Sequence, residues 1–232
     1  FRSKSFCSRF EKPIVQEEDQ TAVRRLNQLT GPFILRRMKS DVLKELPPKT
    51  ENVYRIELEE EQRKLYLAAV VDAREKLQAA KPEDKMAVFA VLMRLREICC
   101  DPRLIADNWE GGSAKLDACV ELVSSAVEGG HRILLFSQFT SMLELLAKRL
   151  DAEGISHFTL QGSTPKPVRA ELVRRFNGGE VSVFLISLRA GGTGLNLTAA
   201  DIVIHYDPWW NVAAQNQATD RAYRIGQQNP VQ

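Results

Sequence analysis

A glycine-rich stretch with one arginine, SLRAGGTGLNL at residues 187–197, has residue types that suit phosphate binding. Gly191, Gly192 and Gly194 let the backbone come close to a phosphate group or adopt a positive φ angle, and Arg189 adds a cation beside them. The same glycines suit a tight turn between a strand and a helix, so the pattern leaves both interpretations open. A P-loop is excluded, because the Gly-Lys pair that it requires does not occur in the chain.

A polar run near the C-terminus, QNQATDRAYRIGQ at residues 215–227, contains two arginines at helical spacing. A helix over this run would carry Gln217, Arg221 and Arg224 on one face. Two guanidinium groups offered to the γ-phosphate of a nucleotide on another domain act as arginine fingers, which accelerate phosphoryl transfer by about 10³–10⁵-fold. The structural alternative is an intrahelical ion pair between Asp220 and Arg224, which contributes only about 0.3–0.5 kcal/mol.

Two adjacent tryptophans lie in the sequence DPWWNV at residues 207–212, directly after an apolar run. Both rings cannot be buried beside Pro208 at the end of one strand, so one of them is available to stack on a base or wedge against a nucleic-acid backbone. We expect Trp209 to pack beneath the terminal helix, which leaves Trp210 as the ring available to a nucleic acid.

Small polar residues follow two other apolar runs. Ser137 and Gln138 end one of them, and Gly162, Ser163 and Thr164 follow the next. Hydroxyl groups, amides and exposed N–H groups suit contacts to a phosphate backbone. The same residues also cap helices, and capping is the role that we expect for Thr164.

Strands alternating with helices are predicted for the second half of the chain, which carries all of these residues. The pattern implies a parallel sheet with helices on both faces, whose ligands gather at the carboxyl ends of the strands. Ser113 is expected to cap the first of the helices. The predicted strands are 133–136, 155–160, 181–186 and 202–206, and the predicted helices begin after 113 and include 142–150, 167–176 and 212–224.

Three stretches that differ in charge and in the spacing of their apolar residues suggest the domain organisation. Residues 1–52 are charged and irregular, with a helix-like segment at 22–29. Residues 53–110 contain apolar residues at helical spacing on both sides of Lys81-Pro82, which predicts two long amphipathic helices. Residues 111–232 form the predicted α/β domain.

Composition excludes several other classes of protein. Four cysteines without CxxC spacing and three histidines without ligand spacing favour buried, reduced thiols over a metal site or a disulfide framework. The longest apolar run, near residues 87–93, is too short to cross a bilayer. A net charge of +2 is weak support for nucleic-acid binding, because a local basic groove matters more than the total. We expect an intracellular, metal-free chain, and the opening Phe1 suggests a fragment.

Several sequence strings, in order and spacing, strongly resemble the Swi/Snf-type ATPases, a branch of the superfamily-two helicases. The resemblance spans nearly the whole chain. The strings are LRRMKSDV with LPPKTE (35–51), LLFSQF (134–139), LQGSTP (160–165), SLRAGGTGLNLTAAD (187–201) and DRAYRIGQ (220–227).

The resemblance implies a motor of two RecA-like lobes with ATP and magnesium in the cleft between them, held mainly by a first lobe that this chain lacks. It implies that residues 1–52 join the lobes, that 53–110 form the helical protrusion of the second lobe, and that 111–232 form its RecA-like body. It also implies three sets of residues. These are arginine fingers at Arg221 and Arg224, a nucleotide border at Gly192, Gly194, Gln217 and Asp220, and contacts to DNA at Ser137, Gln138, Gly162, Ser163, Arg189 and Trp210.

The expected partners are double-stranded DNA and the first lobe of the same protein. Two positions depart from the family pattern: Gln161 stands where Asp is common, which alters the charge near DNA, and Val212 stands where Pro is usual. A non-catalytic nucleic-acid-binding or docking module, and an RNA-polymerase-associated ATPase of the same group, remain as alternatives. The compact linker without lysine-rich runs favours a bacterial cytoplasmic protein over a nuclear one.

Overall fold

The computed structural model describes residues 3–34, 46–79, 84–190 and 194–232, in two compact units, Phe1–Glu45 and Leu46–Gln232. The string LRRMKSDV and residues 191–193, which include Gly192, lie outside the described residues. The predicted helix at 22–29 is confirmed as part of α3, which Asp19 caps by accepting a 2.7 Å hydrogen bond from the Thr21 amide. The helices of the first unit are α1 (Ser3–Phe6), a π-helical turn (Cys7–Glu11), α2 (Lys12–Gln16), α3 (Gln20–Thr30) and a 3₁₀ turn (Gly31–Phe33).

Two long helices begin the second unit, as the apolar spacing predicts. They are α4 (Glu60–Ala79) and α5 (Lys85–Cys100), and a 3₁₀ turn (Pro102–Leu104) follows them. Asp84 caps α5 through the amide of Ala87 at 3.1 Å. The fully buried Gln62 donates a 2.8 Å hydrogen bond to the carbonyl of Ile98, which joins α4 to the C-terminal turn of α5.

A four-stranded parallel sheet forms the body of the second unit, and it confirms the RecA-like α/β prediction. The strands are β1 (Ile133–Ser137), β2 (His157–Leu160), β3 (Val183–Ser187) and β4 (Ile202–His205), in the order β2–β3–β1–β4. The helices are α6 (Ala114–Glu128), α7 (Thr140–Ala152), α8 (Lys166–Asn177) and α9 (Val212–Thr219).

Both faces of the sheet are covered because successive strand side chains point to opposite sides. In β1, Ile133 and Leu135 pack with residues of α6 and α7, while Leu134 and Phe136 pack with residues of α8 and α9. Strand β3 divides in the same way. This burial explains why the strands are continuous apolar runs rather than alternating ones.

The last residues of the chain extend the sheet beyond β4. The Val203 amide donates to the Gln232 carbonyl at 2.8 Å, and Val231 forms a parallel bridge with Lys49. The Thr50 amide then donates to the Val231 carbonyl at 2.9 Å. The string LPPKTE is therefore bound to the outer edge of the sheet, next to the end of the chain.

The start of α6 differs from the prediction. Ser113 is its N-cap residue, but its hydroxyl accepts no hydrogen bond from the helix amides and instead donates to the carbonyl of Cys100 at 3.1 Å. The Tyr206 hydroxyl donates to the same carbonyl at 2.8 Å. The Cys100 carbonyl at the end of α5 therefore holds both the start of α6 and the residue that follows β4. The Ser113 hydroxyl is used for this tertiary contact instead of capping its own helix.

The four cysteines are free, and the thiols of Cys100 and Cys119 are buried, as composition suggests. Burial raises the pKa of both thiols to about 12. Within the described parts of the chain, no helix is both long and apolar enough to cross a membrane.

Candidate functional site

The carboxyl ends of the four strands lie side by side, because the parallel register is even across the sheet. Ser137 pairs with Ser187, Phe136 pairs with His205, and Leu160 pairs with Ile186. The segments that leave these strands therefore start at the same edge. Along that edge, in sheet order, the predicted DNA-contacting residues are Gly162 and Ser163 after β2, Arg189 after β3, Ser137 and Gln138 at the end of β1, and Trp210 after β4.

Asp207 lies buried at this edge, directly after the end of β4, with 3% of its surface exposed. Its carboxylate accepts hydrogen bonds of 3.0 and 3.2 Å from the Gln138 amide, which ties the end of β4 to the end of β1. Burial raises the pKa of Asp207 above its ordinary value, although the Ser137 hydroxyl and the Gln138 amide favour the charged form. Sequence reasoning missed this residue, and its only signal was an acidic residue directly after a buried strand.

Arg96 on α5 holds the tryptophan pair from the other side. Its guanidinium lies 5.3 Å from the ring centroid of Trp209 and 4.8 Å from that of Trp210, and it donates to the Pro208 carbonyl at 2.9 Å. Phe89, also on α5, meets Trp210 edge-on at 5.9 Å. The structure thus joins the helical pair α4–α5 to the sheet edge through cation–π and aromatic contacts.

Trp210 remains 49% exposed, in agreement with its predicted availability. The ring contacts that the structure shows for Trp209 are with Trp210, at 4.5 Å, and with Arg96. Trp209 is partly buried, and its expected packing beneath the terminal helix stays a prediction. Trp210 is held on several sides, which suits a wedge against a backbone better than a platform for a base.

Ser137 and Gln138 are less accessible than predicted. Ser137 is fully buried, and its hydroxyl accepts a 3.1 Å hydrogen bond from the Phe139 amide at the start of α7. The side-chain nitrogen of Gln138 is buried without an acceptor among the described residues. The hydroxyl therefore shapes the turn after β1, and a direct contact from it to DNA remains a prediction.

The loop after β2 is exposed at Gly162 and Ser163. Thr164 does not cap α8: Pro165 is the N-cap residue, and the Thr164 hydroxyl accepts a 3.1 Å hydrogen bond from the Gln161 amide. The side chain of Thr164 is thus used to close the turn. After β3, Arg189 is exposed, and Gly194 has a φ of +45°, as its predicted conformational role requires.

The two arginines do not share a helical face with Gln217, because α9 ends at Thr219. Asp220 is the C-cap residue, and Arg221 and Arg224 lie in the turns that follow. The Arg221 carbonyl accepts a 3.1 Å hydrogen bond from the Leu197 amide, so a neighbouring segment replaces the next helical turn. The prediction of a helix extending to 224 is wrong for this tertiary reason.

Arg221 and Arg224 have different environments. Arg224 is exposed, whereas Arg221 is 4% exposed and its Nε has no acceptor among the described residues. Burial lowers the pKa of the Arg221 guanidinium, Arg224 lowers it further, and Asp220 opposes the shift. Burial and the neighbouring Arg224 both destabilise the charged form of Arg221, and an anion bound nearby would stabilise it.

A cavity of about 390 Å³ lies elsewhere, at the amino edge of the sheet, between Arg132, Asn177 and Asp201. Its walls contain none of the predicted site residues. Gly226 and Gln227, which end the polar run that contains the two arginines, also line this cavity.

Two family models match the chain in succession. The SNF2-related domain matches residues 2–104, and the helicase conserved C-terminal domain matches residues 114–226. The chain belongs to the Swi/Snf-type family. Arg96 and the α4–α5 pair lie in the first match, and the parallel sheet, the arginine turn and the strand-end loops lie in the second.

Relatives and solved structures of this Swi/Snf-type lobe agree with the family models. An uncharacterized ATP-dependent helicase of Mycoplasma genitalium is 38% identical over 99% of this chain and 22% of its own length. The mouse SWI/SNF-related matrix-associated actin-dependent regulator of chromatin subfamily A member 1 is 39% identical over 92% of this chain and 22% of its own length. The chain thus spans about a fifth of these relatives. The Sulfolobus solfataricus SWI2/SNF2 ATPase core in complex with dsDNA matches 98% of this chain and 49% of that chain, with 30% identity and a TM-score of 0.70.

We predict that Arg96→Met lowers the free energy of unfolding by about 1–2 kcal/mol, because it removes the cation–π contacts and the charged hydrogen bond but keeps an apolar stem. Urea unfolding followed by tryptophan fluorescence measures the change. Arg94→Met is the control, since Arg94 is exposed on the same helix. Equal stability of the two variants would contradict the role of Arg96.

Proposed function

We propose that this chain is the second motor lobe of a DNA-stimulated ATPase that translocates on double-stranded DNA and remodels protein–DNA complexes. The observation that carries the proposal is the arginine turn, where the Nε of the buried Arg221 has no acceptor among the described residues and Arg224 lies close enough to lower the pKa of Arg221. The γ-phosphate of ATP on the first lobe would supply a further anion to these two cations.

The nucleotide would lie between the lobes, with its phosphates and magnesium held mainly by the first lobe, as the family resemblance implies. Magnesium supplies charge neutralisation on the phosphate oxygens when bound. On this lobe, Arg221 and Arg224 offer positive charge to the phosphates, and Gly192, Gly194, Gln217 and Asp220 border the cleft. Closure of the lobes would bring the arginines to the nucleotide, which couples hydrolysis to movement.

The DNA would lie along the carboxyl edge of the sheet and contact Gly162, Ser163, Arg189 and Trp210, while Ser137 and Gln138 support the edge from beneath. Gly162 favours this assignment. A Cβ added there meets nothing within 4 Å, and its φ is outside the left-handed region. The lobe itself therefore does not require glycine at this position, whereas close approach of an external backbone does.

Contacts to phosphates carry no sequence information, so we propose binding with low sequence specificity and strong salt dependence. We also propose an intracellular bacterial protein, since three of the relatives are bacterial, while others at similar identity come from animals. The protein–DNA complex on which the motor acts is left open by this proposal.

We predict that Arg224→Ala in the intact protein lowers kcat for DNA-stimulated ATP hydrolysis by at least about 10³-fold, because it removes transition-state charge stabilisation. DNA affinity should change little. Steady-state ATPase assays and equilibrium DNA binding measure the two effects. Arg74→Ala, at an exposed arginine on α4, serves as the control. A parallel loss of DNA affinity would assign Arg224 to the DNA groove instead.

We predict that Gly162→Ala weakens binding to a DNA duplex by at least about tenfold without loss of stability. The methyl group would separate the loop amides from the phosphate, and a hydrogen bond to a charged group contributes about 1.5–3 kcal/mol. Fluorescence anisotropy and thermal unfolding measure the two quantities.

Gly31→Ala provides the matched control for this substitution, because Gly31 also has open space around its Cβ position and an ordinary φ of −50°. Unchanged DNA affinity in Gly162→Ala would remove the loop after β2 from the DNA contact.

A further inference from the structure

We propose that Arg169 on α8 is a positioning residue that turns the amides of the loop at 161–164, named here the β2 loop, towards the DNA phosphates. The inference rests on the proposed DNA contact at this loop and extends it to a residue that makes the loop competent. Arg169 follows the string LQGSTP, and sequence analysis did not select it.

Three backbone carbonyls of the β2 loop converge on the guanidinium of Arg169. Its Nε donates to the Thr164 carbonyl at 2.7 Å, and its Nη2 donates to the carbonyls of Gly162 at 2.7 Å and Gln161 at 3.3 Å. The planar fork of arginine can satisfy several acceptors at once, which the ammonium of lysine cannot do with the same geometry.

The turn is closed independently at its base. The Thr164 amide donates to the Gln161 carbonyl at 3.1 Å, and the Gln161 amide donates to the Thr164 hydroxyl at 3.1 Å. These bonds use the two amides at the ends of the loop. In the described part of the chain, the amides of Gly162 and Ser163 have no acceptor, and both residues are exposed.

The carbonyl and the N–H of one peptide unit point in opposite directions, so the Gln161 and Gly162 carbonyls that face Arg169 leave the Gly162 and Ser163 amides facing away from it. The third carbonyl, of Thr164, precedes Pro165 and orients no amide, because proline has no N–H. Carbonyl oxygens at the surface would repel a phosphate, whereas amides donate to it. Without the cation, the Gly162 and Thr164 carbonyls would lose their donor, and the Gln161 carbonyl would keep only the Thr164 amide. Arg169 thus determines that the backbone amides of the β2 loop, and not its carbonyls, face the DNA.

The decisive experiment measures binding of a fluorescent DNA duplex by the intact protein from about 50 to about 200 mM KCl, for Arg169→Gln, Arg169→Lys and Arg174→Gln. Arg174→Gln is the control, because Arg174 is an exposed arginine on the same helix that pairs with Glu171. It loses the same charge without touching the β2 loop.

We expect both Arg169 variants to lose about tenfold in affinity with an unchanged slope of log K against log [salt], because no phosphate-bound cation is removed. The DNA concentration for half-maximal ATPase should rise while kcat at saturating DNA is kept. Arg174→Gln should bind as the wild type does. Retained affinity in Arg169→Lys, or a slope reduced by about 0.9, would show a direct phosphate contact and overturn the proposal.

A double-substitution cycle guards against a general loss of stability. If Arg169 acts through the amides of the β2 loop, Arg169→Gln and Gly162→Ala should be less than additive in their effects on DNA affinity. Additive effects would overturn the positioning role. Failure of the wild-type protein to bind duplex DNA would instead overturn the proposed function, so the two failures are distinguishable.

Discussion

The even register of four parallel strands is the constraint on which the candidate site depends. Residues from four distant parts of the sequence leave the sheet at one edge only because β2, β3, β1 and β4 end in step. Burial on both faces holds this register, since a shift of one residue would move each core side chain to the opposite face, where it would meet a different set of helices. Asp207 then fixes the edge locally, because its buried carboxylate joins the end of β4 to the amide of Gln138 after β1.

The helical pair α4–α5 is coupled to that edge rather than merely attached to the domain. The carbonyl of Cys100 accepts from both Ser113 and Tyr206, and Arg96 is packed against two tryptophan rings. A displacement of α5 would therefore move the ring of Trp210, one of the residues proposed to contact DNA, because Arg96 and Phe89 on α5 contact that ring. If the α4–α5 pair moves, these contacts would carry its displacement to the strand-end edge that is proposed to bind DNA.

The fold and the location of the site followed from the sequence because both depend on period and order. Apolar runs separated by helical patterns identified every strand to within two residues, and glycines marked the loops after β2 and β3. The accessibility of single side chains did not follow. Ser137 and Arg221 have residue types that suit ligands, yet tertiary contacts bury both, and α9 ends early because the Arg221 carbonyl pairs with Leu197. Asp207, Arg96 and Arg169 were missed because their roles depend on partners far away in sequence.

The structure supports an account in which this lobe holds half of an ATPase site: the arginine turn and part of the DNA grip, without the phosphate cradle. The most direct measurement is ATP turnover by the purified chain alone, with and without duplex DNA. The account predicts no turnover above background in either condition, because the phosphates and magnesium are held on the other lobe. DNA-stimulated turnover by the chain alone, abolished by Arg224→Ala, would contradict it.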